Sequence, residues 1–78
     1  MKNAKEQFGE RVRELRRAKG LSQEDLSFKA GMHRTYLGGI ERGERNPSLM
    51  NIIAIAEALD ITLSELFLYH RNKPDDRK

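Results

Sequence analysis

Residues 22–43, SQEDLSFKAGMHRTYLGGIERG, constrain the fold more than any other stretch, because one glycine divides two short apolar patterns. Leu26 and Ala30 give the first segment an apolar stripe, Gly31 breaks it, and Leu37 and Ile40 give the second a stripe of its own. Ser22 can cap the first helix, with Asp25 three residues on as a short-armed capping box and Leu21 able to pack on Leu26 as a staple. Gly31 ends that helix in a conformation that tolerates positive φ, and Met32 packs inward across the turn. The second helix starts near His33 or Arg34 and stops before Gly43, with Tyr36 half buried. Two adjacent glycines inside it, Gly38 and Gly39, cost about 1 kcal/mol each relative to Ala. That cost is tolerable where a missing side chain permits a close approach; otherwise the helix is locally weak or short.

The rest of the chain is organised to hold this pair. A first helix is expected over residues 4–19, with Asn3 and Glu6 in capping-box spacing and Gly20 just past its end. Phe8, Val12 and Leu15 mark its buried face. Arg11, Arg13, Arg16, Arg17 and Lys19 are expected mostly in solvent, partly paired with Glu10 and Glu14. After a loop at residues 44–47, Ser48 caps a fourth helix running to Leu59. Its apolar residues Leu49, Ile52, Ile53, Ile55, Ala56 and Leu59 span about 160° of arc, with Met50 beyond them, which is wide for one core face. Thr62 and Glu65 form another capping box, and a fifth helix is expected to reach about His70, again with apolar side chains on more than one side. No strand-like alternation occurs, so the fold is all-α. One domain over residues 1–70 is expected, followed by a flexible basic tail at residues 71–78.

Charge is distributed unevenly. Residues 1–45 carry eleven Lys or Arg against seven Asp or Glu; residues 46–70 carry none against three. The basic half therefore contains the paired helices, as a footprint for polyanions requires, although solvated helix faces alone could give the same balance. With no Cys and two distant histidines, no disulfide, thiolate metal site or zinc pair is expected, and no cofactor. No apolar run approaches the roughly 20 residues that span a bilayer, and MKNAKEQ is not followed by a signal-peptide core. A cytoplasmic protein without a membrane partner is the expectation. Nothing places a nucleophile beside a base, and there is no phosphate loop of the strand-to-helix kind, so no enzyme is expected.

A glycine-containing turn between two short helices is the sequence form of a helix-turn-helix, whose second helix lies in the DNA major groove while the first crosses the backbone. Arg34 is the strongest candidate for base readout, since a guanidinium can bond guanine O6 and N7 together. Thr35 offers a hydroxyl and a methyl group, and Gly39, one turn later, permits close approach at the bases. Gln23, Arg42 and Arg45 suit phosphates, and His33 and Tyr36 join them as candidate backbone contacts. The surplus apolar residues Met50, Ile53, Leu68 and Tyr69 are candidates for a homodimer interface. Single-stranded nucleic acid is disfavoured, because the three Phe and two Tyr fall mostly on apolar faces instead of forming a stacking platform.

Over residues 8–67 the chain resembles the phage-repressor-like, or XRE, family of helix-turn-helix domains. The words Q-E-D-L, K-A-G, R-T-Y-L, I-E-R-G, R-N-P-S and L-S-E-L-F follow the family pattern almost continuously. Within it, RTYLGGIERGERN is similar to the controller proteins of restriction-modification systems. The resemblance implies a five-helix bundle of the lambda-repressor-like type and a homodimer through the last two helices. It implies a palindromic double-stranded DNA operator; no small-molecule ligand is expected, because nothing after about Tyr69 reads as a segment to bind one. It further implies phosphate contacts from Gln23 and Arg42, base contacts from Arg34 and Thr35, a phosphate or minor-groove role for Arg45, and a structural Arg16–Glu41 pair. Gly38 and Gly39 depart from the family, which more often carries longer side chains there. An antitoxin-like or adaptor module on the same fold is the alternative reading.

Overall fold

The computed structural model describes residues 2–69, and every statement below concerns those residues. It contains five helices and no strand: α1 Ala4–Ala18, α2 Gln23–Ala30, α3 Arg34–Glu41, α4 Leu49–Ala58 and α5 Leu63–Leu66. Four of the five starts follow from caps that lie within three residues of them. Asn3–Glu6, Ser22–Asp25 and Thr62–Glu65 each form a reciprocal capping box, and the Ser48 hydroxyl accepts from the Asn51 N–H.

Packing α1 on α3, α2 on α3 and α4, and α5 on α1 and α4 closes one core. Phe8, Val12, Leu26, Leu37, Ile40, Ile55, Ala56, Leu59 and Leu66 fill it, with Leu15, Leu21, Met32, Tyr36 and Ile52 packed around them. At Gly9 the first and third helices come so close that a Cβ would stand 2.6 Å from the Glu41 carbonyl oxygen and also strike that of Ile40. No longer side chain fits that crossing without separating the helices.

Two expectations about α1 are corrected. Arg16 is buried, not solvated, and Arg11 reaches across the fold: its Nη2 donates to the Glu65 carbonyl at 2.7 Å and its Nε to the Leu66 carbonyl at 3.3 Å. These two bonds fall at the end of α5, which is shorter than its sequence pattern. Arg11 thereby satisfies acceptors that the last turn of a helix leaves free. Phe67 instead packs on Phe8, with ring centroids 5.4 Å apart, and Tyr69 follows outside the helix. His70 and the expected tail at residues 71–78 lie outside the described residues.

Much of the wide apolar arc of α4 stays uncovered. Met50 is 71% exposed and Leu68 is 73% exposed, and Leu49, Leu63 and Phe67 are exposed beside them in sequence. No described helix is long and apolar enough to cross a membrane.

Candidate nucleic-acid interface

The turn between α2 and α3 is set by Gly31, whose φ of 69° and ψ of 34° lie in the left-handed region. Met32 N–H bonds the Ser27 carbonyl at 2.9 Å and Gly31 N–H that of Phe28 at 3.1 Å, the paired bonds of a Schellman stop. Extended backbone at His33 then starts α3 in a new direction. The His33 side chain makes no cap hydrogen bond, and no acidic residue occupies the first turn of α3. Arg34 and Thr35 stand exposed at this uncapped end.

Beneath the two helices lies a buried charge cluster. Glu41 accepts from Arg16 Nε at 2.7 Å and Nη2 at 3.0 Å, a two-point pair that joins α1 to α3. Arg16 also donates to the Leu21 carbonyl, and the pairing with Glu41 raises its pKa. Gln23 Nε2 adds a third bond to Glu41 at 3.0 Å, and Arg13 stands 3.9 Å from the same carboxylate. All three elements of the helix-turn-helix framework thus share one acceptor. The Arg16–Glu41 pair implied by the family resemblance is present.

Gln23, Arg34, Thr35 and Arg42 line a single surface depression whose remaining member is Gly38. Arg42 enters it from the far end of α3. Its Nε and Nη2 bond the Glu44 carboxylate at 3.0 and 3.2 Å, which raises the Arg42 pKa and lowers that of Glu44. Arg42 Nη1 is left over Gly38, where a Cβ would stand 3.1 Å from it and 3.6 Å from Gln23 Oε1. Residue order alone does not disclose the Glu44 contact, since residues two apart on a helix do not face each other; the chain must first leave α3.

The other candidates lie around this depression. Tyr36 is half buried; its hydroxyl accepts from Asn51 Nδ2 at 3.1 Å, and Arg45 Cζ lies 5.8 Å from its ring centroid. Gly39 is buried beneath Arg45, and His33 is exposed beside a separate hollow lined by Phe28 and Met32. Helix α3 runs unbroken through both glycines. On the opposite part of the fold Met50 and Leu68 are exposed, and Ile53 and Tyr69 are half buried. Phe8 is buried as expected of the aromatics, but Phe28 is 86% exposed and Phe67 half exposed. Among the described residues no cluster of three or more His, Asp or Glu could hold a metal.

A helix-turn-helix family model matches residues 12–66. Control protein C.BamHI of Bacillus amyloliquefaciens is 48% identical over 60 residues, which cover 76% of this chain and 74% of that protein. Control protein C.MunI of a Mycoplasma species is 46% identical over 68 residues, covering 86% and 92%. Among solved structures, the restriction-modification controller protein C.AhdI from Aeromonas hydrophila superposes with a TM-score of 0.78 at 61% identity, covering 80% of this chain and 94% of that one.

Proposed function

This chain belongs to the helix-turn-helix family of DNA-binding transcriptional regulators, and on that premise we propose that it controls a restriction-modification system as a homodimer on a pseudo-palindromic operator. The observation that carries the reading is the convergence of Gln23, Arg34, Thr35 and Arg42 in one depression at the open end of α3. In this arrangement Arg34 and Thr35 meet base edges, and Gly39 lies one turn further along the same helix. Gln23, His33, Tyr36, Arg42 and Arg45 hold the phosphates on either side. The Arg42–Glu44 pair is exposed, so Arg42 exchanges it for a phosphate at little cost.

Met50, Ile53, Leu68 and Tyr69 form the subunit interface. Two-fold symmetry then sets the recognition helices roughly 34 Å apart, one turn of DNA, which demands an inverted repeat. The similar controllers named above support the choice of regulated system. Selection from a random duplex pool should return an inverted repeat, bound in gel shift well ahead of a scrambled duplex. Equal affinity for both at moderate salt would overturn the proposal.

A further inference from the structure

Gly39 sits in the middle of α3 with helical backbone angles, so its conformation does not call for glycine. Space does. A Cβ there would stand 2.7 Å from Arg45 Cγ, 3.4 Å from its Nε and 3.6 Å from its Cδ. Three atoms of one side chain therefore fill the volume that a residue-39 side chain would take. The guanidinium continues toward Tyr36, with Cζ 5.8 Å from the ring centroid. Residues 36 and 39 are neighbours one turn apart on a helix surface. Arg45 thus leaves the loop after α3 and lies back along that helix, over a track made of one ring and one bare backbone. Among the described residues it forms no ion pair; the nearby Glu44 carboxylate bonds Arg42.

We propose that Gly39 is a positioning residue for Arg45. Its missing side chain is the seat that carries a loop cation on the recognition helix and presents it to DNA where residue 39 would otherwise project. The inference rests on the proposed reading of α3 as the groove-facing helix. It assigns the glycine to an intramolecular contact, not to direct approach of the duplex.

The two uses of that space separate in a double-mutant comparison. Gly39→Ala, Arg45→Ala and the double variant are first melted; alanine in a helix interior favours folding, so all three should be folded. Affinity for the selected operator is then measured across a salt series. Arg45→Ala should weaken binding of the dimer at least about tenfold and lower the salt slope by about 1.8, one phosphate contact in each half-site. Gly39→Ala should weaken binding and lower the slope in the same direction, and adding it to Arg45→Ala should change neither quantity further. An equal loss from Gly39→Ala in both backgrounds means that DNA itself needs the space, and no loss in either means that the seat is idle; each overturns the proposal.

A second measurement needs no DNA. In the free protein the Arg45 δ-methylene protons should be shifted upfield by the Tyr36 ring and return to ordinary positions in Gly39→Ala; an unchanged shift overturns the seat. If the wild-type protein shows no operator preference, the regulator reading fails while this spectrum still decides the role of Gly39. Should Gly39→Ala not fold, Tyr36→Leu removes the other half of the track; its own phosphate contact is lost in both backgrounds, so only the part of its loss that vanishes in Arg45→Ala reports the track, and no such part overturns the proposal.

Discussion

Gln23 Nε2 donates to the buried Glu41 carboxylate at 3.0 Å, so the charge cluster inside the domain sets the direction of an amide on its surface. An ionised carboxylate only accepts. The amide must therefore turn Nε2 inward and Oε1 outward over Gly38, with its second N–H left for the proposed phosphate contact. Through the same carboxylate Arg16 fixes α1 against α3. Framework and contact surface are one hydrogen-bonded unit.

Glu41→Gln leaves the buried Arg16 guanidinium without its charge partner and should destabilise the domain by about 3–5 kcal/mol. That is a large fraction of the stability of a small domain, about 5–15 kcal/mol. Urea unfolding followed by circular dichroism measures it. A midpoint equal to that of the wild type would mean that the pair is not what holds α1 to α3.

Arg34→Ala should lose about 1–3 kcal/mol of discrimination at one base pair of each half-site. Competition binding against single-base operator variants reads this directly. A uniform loss over all variants would assign Arg34 to a phosphate.

Glu44→Gln frees Arg42 from its exposed carboxylate partner. DNA affinity should rise by up to about fivefold per half-site, the upper range of such a surface pair, and equally for operator and scrambled duplex. Unchanged affinity would show that Arg42 stays away from the backbone.

Leu68→Arg places a charge in the exposed apolar surface and should yield a folded monomer with weakened operator binding. Sedimentation velocity distinguishes the states. A dimer of undiminished stability would place the interface elsewhere.

Acid should loosen the helix starts. The Asp25 carboxylate is held below the usual range by the Ser22 backbone N–H and hydroxyl, and the Glu65 carboxylate likewise by Thr62. A carboxylate with a depressed folded-state pKa contributes stability that is complete above its unfolded value, near pH 4, and is lost as pH falls through the folded value. Asp25→Asn with Glu65→Gln should flatten the fall in stability below about pH 4. An acid limb as steep as that of the wild type would assign the loss to other groups.

Helix starts are legible in the chain because their signals are local. Each capping box spans four residues, and Gly31 marks its own turn. The long-range contacts are not. Arg11 meets Glu65 and Leu66 more than fifty residues away, and nothing in the spacing of α1 distinguishes it from the exposed Arg17. The Arg16–Glu41 pair was readable only through family resemblance. At the candidate site, Arg34 and Thr35 follow from the register of α3, whereas the cover over Gly39 depends on the path of the loop beyond it. Phe28 broke the pattern for aromatics: the structure leaves it exposed, and no described contact explains why a phenylalanine stands there.

The hold of Arg11 on the end of α5 has a consequence for integrity under stress. A four-residue helix is far below the length that persists in water unaided. Its shape, and the greasy outer rim of Leu63, Phe67 and Leu68 around it, rest on its packing against α1 and α4, so unwinding of α1 removes one of the two supports. Opening of the first helix therefore loosens the rim as a defined shape in the same event. If the proposed dimer forms through this rim, a copy with an opened first helix loses the surface by which it would pair.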